Sequence, residues 1–272
     1  MDSTANQDFA EKVVWITGAS SGIGEALACL LRSRGAKLVV SSNEADELLR
    51  VKRRCADHEH TVLALPLDLT EFDSFEQKAG EVVRTFGKID ILVNNGGISH
   101  RSTVKDTSVD VLRKVMDVDF TGHAALTRAV LPHMLSRKSG HIVVTSSLAG
   151  KMSFPTRAVY CAAKHALQGF FNALRAEVWR DNIVVTLICP AGVRTRIGYS
   201  SLTGSGGKYG RTDRHIEAGL TPEACAELIV NAIRRKKAEV WIGRFSQRYP
   251  AYIARFLPSF YAWLINHVKS LN

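Results

Sequence analysis

The chain has 272 residues, 46% of them hydrophobic and 23% charged, which is ordinary for a globular protein and excludes a fibrous or disordered chain. No stretch reaches the about 18 consecutive apolar residues of a membrane-spanning helix, and the polar start contains no apolar signal segment, so we expect a cytoplasmic protein. The net charge of +10 comes from basic residues that are scattered without a nucleic-acid-binding motif, and we therefore expect no nucleic-acid partner.

Short apolar, β-branched segments alternate along the chain with longer segments of helical spacing. The predicted strands are residues 13–17, 37–41, 61–65, 89–93, 141–145, 183–188 and 239–242. The predicted helices are residues 23–34, 44–57, 72–86, 109–136, 158–180 and 222–235. Because strands that alternate with helices require a parallel sheet covered on both faces, the sequence predicts an α/β fold with a doubly wound sheet of about seven strands.

No internal repeat and no flexible linker divides the chain, so we predict one domain over residues 12–243 after a short polar tail at residues 1–11. The glycine-rich residues 196–220 are predicted to form a mobile substrate loop, with a disordered insertion as the alternative. The histidines at residues 58–60 are predicted to lie in a solvated loop.

The C-terminal residues 244–272 form an appendage in which aromatic and arginine side chains are interleaved. Packing of this appendage back onto the domain, or contact between subunits, is the first interpretation. Peripheral membrane contact is the second, because such a composition also suits a lipid surface.

The five cysteines are odd in number and contain no CxxC pair. This pattern argues against a disulfide framework or a zinc module, so we expect free thiols and no metal.

The first predicted strand runs into the sequence GASSGIG at residues 18–24, just before the first predicted helix. Gly18 permits a tight turn, Gly22 lets the backbone approach a pyrophosphate, and Gly24 lets the helix pack closely on the strand. The free N–H groups at the start of the helix favour phosphate groups. The pattern therefore predicts a dinucleotide site.

Tyr160 and Lys164 are four residues apart in a predicted helix, which places both side chains on one face. A lysine ammonium stabilises a phenolate, so a tyrosine beside it becomes a better acid than its usual pKa of about 10 allows. The same spacing also arises in a helix with a surface tyrosine and a solvated lysine. Ser147, which follows the fifth predicted strand thirteen residues before Tyr160, favours the chemical interpretation.

The glycine turn and the Ser147, Tyr160 and Lys164 spacing resemble the short-chain dehydrogenase/reductase family. The segments NNGGIS at residues 94–99 and YCAAKHAL at residues 160–167 are similar to its dehydrogenase/reductase member 7 branch. The resemblance extends from about residue 12 to the C-terminus. It implies a single-domain Rossmann-type fold and an NAD(P)(H)-dependent oxidoreductase that interconverts a carbonyl and a secondary alcohol by hydride transfer.

The resemblance also implies catalytic roles. Tyr160 would donate the proton during reduction, Ser147 would hold the reacting oxygen, and Lys164 would lower the pKa of Tyr160 and hold the nicotinamide ribose. A fourth catalytic position, occupied by asparagine in similar proteins, is Asp119 here. Asp119 either holds a water that links Lys164 to solvent or is a neutral replacement in a slightly shifted helix, and the sequence leaves both open.

Nucleotide contacts follow from the same resemblance. The residues it assigns are Gly18, Ser20, Ser21, Gly22, Ile23, Gly24, Ser42, Asn43, Asp68, Leu69, Asn95, Gly96, Tyr160, Lys164, Val193 and Thr195. Ser42 stands where NAD users of the family carry aspartate, and Asn43 stands where the branch usually carries arginine. Because the acid that repels a 2′-phosphate is missing, NADP(H) is favoured over NAD(H), although Glu44 argues for the reverse.

The leading hypothesis is a reductase of a lipophilic carbonyl compound, such as a steroid or retinoid, because the resembled branch acts on such compounds. Its substrate contacts are expected at Ser147, Met152, Phe154 and Tyr160. The alternatives are a 3-oxoacyl thioester reductase and a catalytically weak, dinucleotide-binding regulator, the latter motivated by Asp119. Relatives pair through long helices, so a homodimer or homotetramer is expected.

Overall fold

The structure is a computed structural model that describes residues 7–56 and 61–267, except for the side chain of His215. The predicted solvated loop at residues 58–60 lies outside the described residues. The first six residues of the predicted tail and the last five of the appendage also lie outside them.

Within the described residues, seven parallel strands form one sheet in the order β3-β2-β1-β4-β5-β6-β7. Their bounds are Val13–Thr17 (β1), Lys37–Ser41 (β2), Val62–Ala64 (β3), Ile91–Asn94 (β4), Gly140–Thr145 (β5), Ile183–Pro190 (β6) and Glu239–Ile242 (β7). The strands are apolar and rich in valine and isoleucine because both faces of the sheet are covered, and all five residues of β1 are buried. This is the single-domain, Rossmann-type, doubly wound fold that the sequence predicts.

Helices cover both faces of the sheet. They are Gly22–Ser33 (α1), Ala45–Cys55 (α2), Phe75–Phe86 (α3), Val109–Met116 (α4), Gly122–Leu135 (α5), Ala158–Val178 (α6), Arg214–Glu217 (α7), Pro222–Arg234 (α8), Phe245–Phe256 (α9) and Pro258–His267 (α10). One hydrophobic core joins α1, α2 and α8 to the sheet, and a second joins α3, α5 and α6 to its other face.

The order of the strands positions the site. The chain winds outward from β1 to β3 and then returns to β4, which pairs with β1 on its other side. Adjacent loops therefore leave the sheet in opposite directions at the carboxyl ends of β1 and β4. That crevice is where the glycine turn after β1 and the asparagines after β4 meet.

The predicted helix at residues 109–136 is divided in the structure. A π-helical turn, Asp117–Thr121, separates α4 from α5. Asp119 lies in this turn, is fully buried, and its Oδ1 accepts a hydrogen bond of 2.7 Å from the backbone N–H of Ile98. Such wide turns are local and frequent at functional sites, and a pattern of hydrophobic spacing does not reveal them.

The described part of the C-terminal appendage packs back onto the domain. Ala251 of α9 is buried with Leu148, Met152 and Cys189, and the Tyr261 hydroxyl of α10 donates a 2.6 Å hydrogen bond to the Ser153 carbonyl. This packing agrees with the first interpretation of the appendage, in which it folds back onto the domain or contacts another subunit. No helix among the described residues has the length and apolar character needed to cross a membrane.

Candidate active site

A cavity of about 930 Å³ opens at the carboxyl ends of the strands, in the crevice between β1 and β4. Of the residues expected to bind nucleotide or substrate, all except Gly24 line this cavity. Gly24 lies beneath it, where a Cβ would stand 2.1 Å from the Gly18 carbonyl oxygen. One pocket therefore holds both the glycine turn and the tyrosine–lysine pair.

The glycine turn has the backbone that its sequence predicts. Gly18 and Gly22 have φ values of +63° and +57°, which other residues rarely adopt. A Cβ on Gly18 would lie 2.5 Å from the Cα of Gly96, so the turn packs directly on the loop after β4. Helix α1 begins at Gly22 and points its first N–H groups into the cavity mouth, where they can bind the phosphates of a dinucleotide.

The loop after β4 supports this turn from the side. Thr17 Oγ1 accepts hydrogen bonds of 3.0 Å from the backbone N–H groups of Asn95 and Gly96. The Asn95 amide donates a 3.2 Å hydrogen bond to the Thr17 carbonyl. These contacts fix the loop without using the phosphate-facing N–H groups of α1.

His123 of α5 is a buried residue near Lys164 that the sequence analysis did not single out. Its Nε2 lies 2.7 Å from the Gly96 carbonyl oxygen and must donate to it, since that oxygen only accepts. Burial, and next the charge of Lys164, lower the pKa of His123 to about 3. The neutral ring therefore holds the Gly96 turn without adding charge.

At the end of the cavity beyond β2 and β3, where the adenosine is predicted to bind, Ser42 Oγ accepts a 2.9 Å hydrogen bond from the backbone N–H of Glu44. Asp68 Oδ1 accepts hydrogen bonds from the backbone and hydroxyl of Thr70 at 2.8 Å and 2.7 Å. Burial alone would raise the pKa of Asp68, but these hydrogen bonds outweigh it and lower the pKa. Asp68 is therefore an anion at neutral pH.

Arg50 is a further residue at this end that the sequence analysis missed. Its Nη2 donates a 3.0 Å hydrogen bond to the Ser20 carbonyl of the glycine turn, and its Nη1 lies 2.6 Å from Glu25 Oε1. The sequence places Arg50 only within a basic helix, which is typical of a solvated face. The contact depends on how α2 packs against α1, and spacing within one helix does not give that.

At the other end of the nucleotide crevice, Tyr160, Ser147 and Lys164 meet. The Ser147 side chain lies close enough to the Tyr160 hydroxyl to lower the pKa of Tyr160. The Lys164 ammonium lies 5.5 Å from the centre of the Tyr160 ring and donates to the Thr145 carbonyl at 3.5 Å. A phenol, a hydroxyl and a buried ammonium thus surround the place where a substrate oxygen can bind.

Burial raises the pKa of Tyr160. Lys164 and the Ser147 side chain act in the opposite direction, whereas the negative charge of Asp119 adds to the rise. Lys164 therefore has the predicted influence, but without a bound nucleotide it does not bring the pKa of Tyr160 below its ordinary value. The phenol is protonated at neutral pH.

Asp119 is in contact with Lys164, whose Nζ lies 3.5 Å from Asp119 Oδ2. Burial raises the pKa of Asp119, and Lys164 opposes that rise. Burial also disfavours the Lys164 ammonium, but attraction by Asp119 and then by Tyr160 outweighs it and raises the pKa of Lys164. The structure thus places Asp119 against Lys164, and whether it holds a water there or is a neutral replacement stays a prediction.

Thr195 lies over the glycine turn, where its Cγ2 is 3.0 Å from the position of a Cβ on Gly22. Val193 is buried and pairs through its backbone with Leu220, which ties the segment after β6 to the end of the predicted substrate loop. Both residues therefore line the cavity beside the glycine turn, and their contact with a nicotinamide ring stays a prediction.

The substrate end of the cavity is apolar and is partly built by the appendage. Met152 and Phe154 line it as expected. Tyr261, Leu264 and Ile265 of α10 also line it, although the sequence analysis assigned their segment only to packing or surface contact. Aromatic spacing in a terminal helix gives no signal of which cavity the helix will cover.

The predicted substrate loop is tied to the cavity by ionic contacts. Asp213 pairs with Arg157, three residues before Tyr160, and with Arg101 Nη1 at 3.2 Å. Arg157 Nη1 also donates a 2.7 Å hydrogen bond to Ser99 Oγ. One largely buried carboxylate therefore joins this loop to the residues beside Tyr160. Among residues 7–56 and 61–267, no three His, Cys, Asp or Glu side chains are grouped to bind a metal.

Comparison with known proteins agrees with this geometry. A model of the family described as short chain dehydrogenase matches residues 12–204. Dehydrogenase/reductase SDR family member 7 of Homo sapiens is 42% identical over 264 residues, which are 95% of this chain and 78% of that protein. A protein 7-like member from Anopheles gambiae is 43% identical over 267 residues, covering 96% and 84% of the two chains. The resemblance to the family and to its member 7 branch is confirmed.

Two solved structures show the same fold. A short chain dehydrogenase/reductase from Burkholderia phymatum in complex with NAD has a TM-score of 0.81 and 25% identity, covering 97% of this chain and 99% of that one. A metagenomic short-chain oxidoreductase in complex with NADP has a TM-score of 0.72 and 26% identity, covering 86% and 97%. Because these two relatives hold different nucleotides, they do not decide between NAD and NADP for this chain.

Proposed function

This chain belongs to the short-chain dehydrogenase family and is an oxidoreductase, and on that premise we propose that it reduces a lipophilic carbonyl compound to the corresponding alcohol. The observation that carries the proposal is the meeting of Ser147, Tyr160 and Lys164 in the cavity that also contains the glycine turn. A regulator without turnover would not require all three side chains at one point.

Ser147 and Tyr160 act directly on the substrate oxygen in the proposed reduction. A bound nicotinamide supplies the hydride to the carbonyl carbon. Ser147 donates a hydrogen bond to the carbonyl oxygen, and Tyr160 gives that oxygen its proton. Because burial keeps Tyr160 protonated at neutral pH, the resting site is ready to donate a proton and less ready to remove one. This favours reduction as the working direction.

Lys164 and Asp119 act behind Tyr160. The ammonium would hold the ribose of a bound nicotinamide nucleotide, and its charge stabilises the phenolate left after proton transfer. Asp119, fully buried and 3.5 Å away, keeps the ammonium charged and fixes its position. Lys164, with Asp119 against it, would be the group that passes a proton back toward Tyr160.

We infer that NADP(H) is preferred. Ser42 presents no carboxylate to a 2′-phosphate, and the Arg50 guanidinium lies at the Ser20 carbonyl within the same region. Glu44 also lines the cavity and opposes this preference. Arg50 does not line the cavity, and its guanidinium is paired with Glu25 and Glu47, so the missing carboxylate at Ser42 is the feature that carries this inference.

The proposed substrate is lipophilic, in the class of steroids and retinoids. The apolar residues Ile98, Leu148, Met152, Leu264 and Ile265 line the cavity, so it can take a carbonyl compound with several fused or linked carbon rings. A 3-oxoacyl thioester remains the alternative substrate, because Arg101 and Arg196 at the mouth can attract its anionic carrier.

We also propose that α9 and α10 rest on an anionic membrane surface. Large apolar side chains are exposed on these helices, with Phe256 73% and Trp263 54% exposed. Three arginines accompany them, and the sequence has no acidic residue after Glu239. Helix α10 also lines the substrate cavity. Contact of this helix with a membrane would therefore place the mouth of the cavity at the lipid phase, where an apolar substrate is dissolved.

The test is oxidation of NADPH or NADH by the purified protein over a panel of steroid ketones, retinal and 3-oxoacyl thioesters.

Tyr160→Phe should lower kcat for the best substrate by about 10²- to 10⁴-fold, which is the usual contribution of a general acid. Its Kd for nucleotide and its unfolding midpoint should stay close to those of the wild type. Tyr249→Phe, an exposed tyrosine on α9, is the matched control. Comparable turnover by Tyr160→Phe would overturn the proposal.

A further inference from the structure

Two cysteines are in contact far from the reacting groups. Cys29 of α1 and Cys55, the last residue of α2, have their Sγ atoms 2.6 Å apart. A disulfide bond is about 2.05 Å long, so only a small approach separates the two sulfurs from a covalent bond. The other three cysteines, Cys161, Cys189 and Cys225, are buried elsewhere.

The contact is part of a polar seam between α1 and α2. Glu25, one helical turn before Cys29, pairs with Arg50 at 2.6 Å and with Arg54 at 2.7 Å. Arg54 directly precedes Cys55. These ion pairs hold the two helices in the register that brings the sulfurs together, so the contact does not depend on the sulfurs themselves.

The two thiols differ in environment. A hydrogen bond with Cys55, and then the charge of Arg54, lower the pKa of Cys29 to about 7 in spite of burial. The same hydrogen bond, and then burial, raise the pKa of Cys55. Cys29 is also the more exposed of the two. A partly exposed thiolate beside a protonated thiol is the arrangement of an attacking and a resolving cysteine.

We propose that Cys29 and Cys55 are a redox-active dithiol that reacts with small-molecule disulfides to form an intramolecular disulfide between α1 and α2. The Cys29 thiolate attacks the small disulfide, forming a mixed disulfide and releasing one thiolate. Cys55 then loses its proton and attacks Cys29 Sγ, which releases the second thiolate. The small disulfide is reduced to two thiols while the protein loses two hydrogens.

The bond would close a loop that contains β2 together with Ser42 and Asn43 at the adenosine end of the nucleotide site. Closing a loop of this size restricts the unfolded chain and stabilises the fold. Because the sulfurs are already in contact, the helices need not move, and nucleotide binding should persist. The proposal is independent of the carbonyl chemistry at Tyr160.

The experiment incubates the reduced full-length protein with glutathione disulfide, quenches it with acid, and titrates thiols in denaturant. The count should fall from five to three, and peptide mapping without reduction should find Cys29 linked to Cys55. The half-maximal rate should lie near pH 7 rather than near the value of about 8.5 typical of free cysteine. Tm should rise by about 5 °C or more.

Three variants make the test decisive. Cys29→Ser should not react, and Cys55→Ser should stop as a mixed disulfide with glutathione on Cys29. Cys225→Ala, which removes a buried cysteine of α8, should form the same bridge as the wild type. A bridge between other cysteines, an unchanged count of five thiols, or no glutathione on Cys29 in Cys55→Ser would each overturn the proposal.

Discussion

Asp119 stands at the position where the resemblance to the family implies a catalytic asparagine. It is fully buried, and its two oxygens contact the Ile98 N–H and the Lys164 ammonium. An anion at this point raises the pKa of Tyr160 and of Lys164. The charge therefore acts on the proton donor through space, even though Asp119 does not line the cavity.

Replacing Asp119 with asparagine should move the pH profile in a defined direction. Without the anion the pKa of Tyr160 falls, so alcohol oxidation, which needs the phenolate, should begin at lower pH than in the wild type. Carbonyl reduction needs the protonated phenol. Its rate falls as the pH rises, and in Asp119→Asn this fall should begin at a lower pH than in the wild type. The measurement is kcat against pH in both directions for wild type, Asp119→Asn and Asp117→Asn, the last being a control in the same π-helical turn. Superimposable profiles, or a shift to higher pH in Asp119→Asn, would contradict this account.

Ser42 governs nucleotide choice if the 2′-phosphate binds beside it. In Ser42→Asp the carboxylate can still accept the Glu44 N–H, so the turn should persist while a negative charge faces the phosphate. The Kd for NADPH should rise about tenfold or more, equivalent to ~1.4 kcal/mol, and that for NADH should fall. Ser42→Asn, which adds no charge, is the matched control, with Kd measured by fluorescence titration. A wild type that already prefers NADH strongly would show that the inferred preference is wrong.

The helices and strands show which features can be predicted from local sequence. Strands β1 and β2 occupy the predicted residues. Their apolar, β-branched sequences are buried on both faces of the sheet, and a short apolar run of this kind can be recognised from local sequence alone. The glycine turn and the tyrosine–lysine pair were also predictable from local sequence, since each depends on residue spacing within one turn or one helix. The division of residues 109–136 by a π-helical turn was not, because hydrophobic spacing does not reveal so local a change in helix geometry.

Features made by two elements together escaped the sequence analysis. Arg50 reaches the glycine turn only because α2 packs on α1, and Tyr261 reaches the cavity only because α10 folds back over β6 and the loop after β5. The Cys29 and Cys55 contact is of the same kind, since the scattered cysteines predicted only free thiols. Such contacts join residues that are distant in sequence, and hydrophobic periodicity carries no information on them.

Helices α9 and α10 should bind vesicles that contain anionic lipid. Burying an exposed large apolar side chain is worth up to about 1.5–3 kcal/mol, so Phe256→Ser or Trp263→Ser should each weaken vesicle binding by about tenfold. The measurement is co-sedimentation with phosphatidylcholine vesicles with and without phosphatidylserine, at low and high salt. Trp179→Ser, equally apolar and 65% exposed but located after α6, is the control and should bind like the wild type. No binding of the wild type to anionic vesicles, or an equal loss in Trp179→Ser, would refute the membrane contact.

The whole molecule presents one helix face that suits a second copy of the chain. Helix α6 exposes a row of small residues, Ala162, Gly169, Ala173 and Ala176, on the side opposite the sheet. Phe170 is exposed beside this row and packs edge-on against Phe120 of the turn before α5. Small side chains let two helix backbones approach closely, and a two-fold axis through such a face pairs each helix with its own copy. We therefore predict a homodimer, or a homotetramer built from it.

Gly169 offers a clean test of this assembly. A Cβ at Gly169 meets nothing within 4 Å, so Gly169→Leu leaves the monomer unstrained and also improves helix propensity. Its side chain should nevertheless block close approach of a second α6, raising the dimer dissociation constant at least about tenfold if that face lies on the axis. Gly80→Leu is the matched control, because Gly80 is also helical and its Cβ would meet only the flexible end of Arg84. Sedimentation velocity should show wild type and Gly80→Leu as oligomers at micromolar concentration and Gly169→Leu shifted toward the monomer. A monomeric wild type, or a Gly169→Leu variant that sediments like it, would refute pairing through α6.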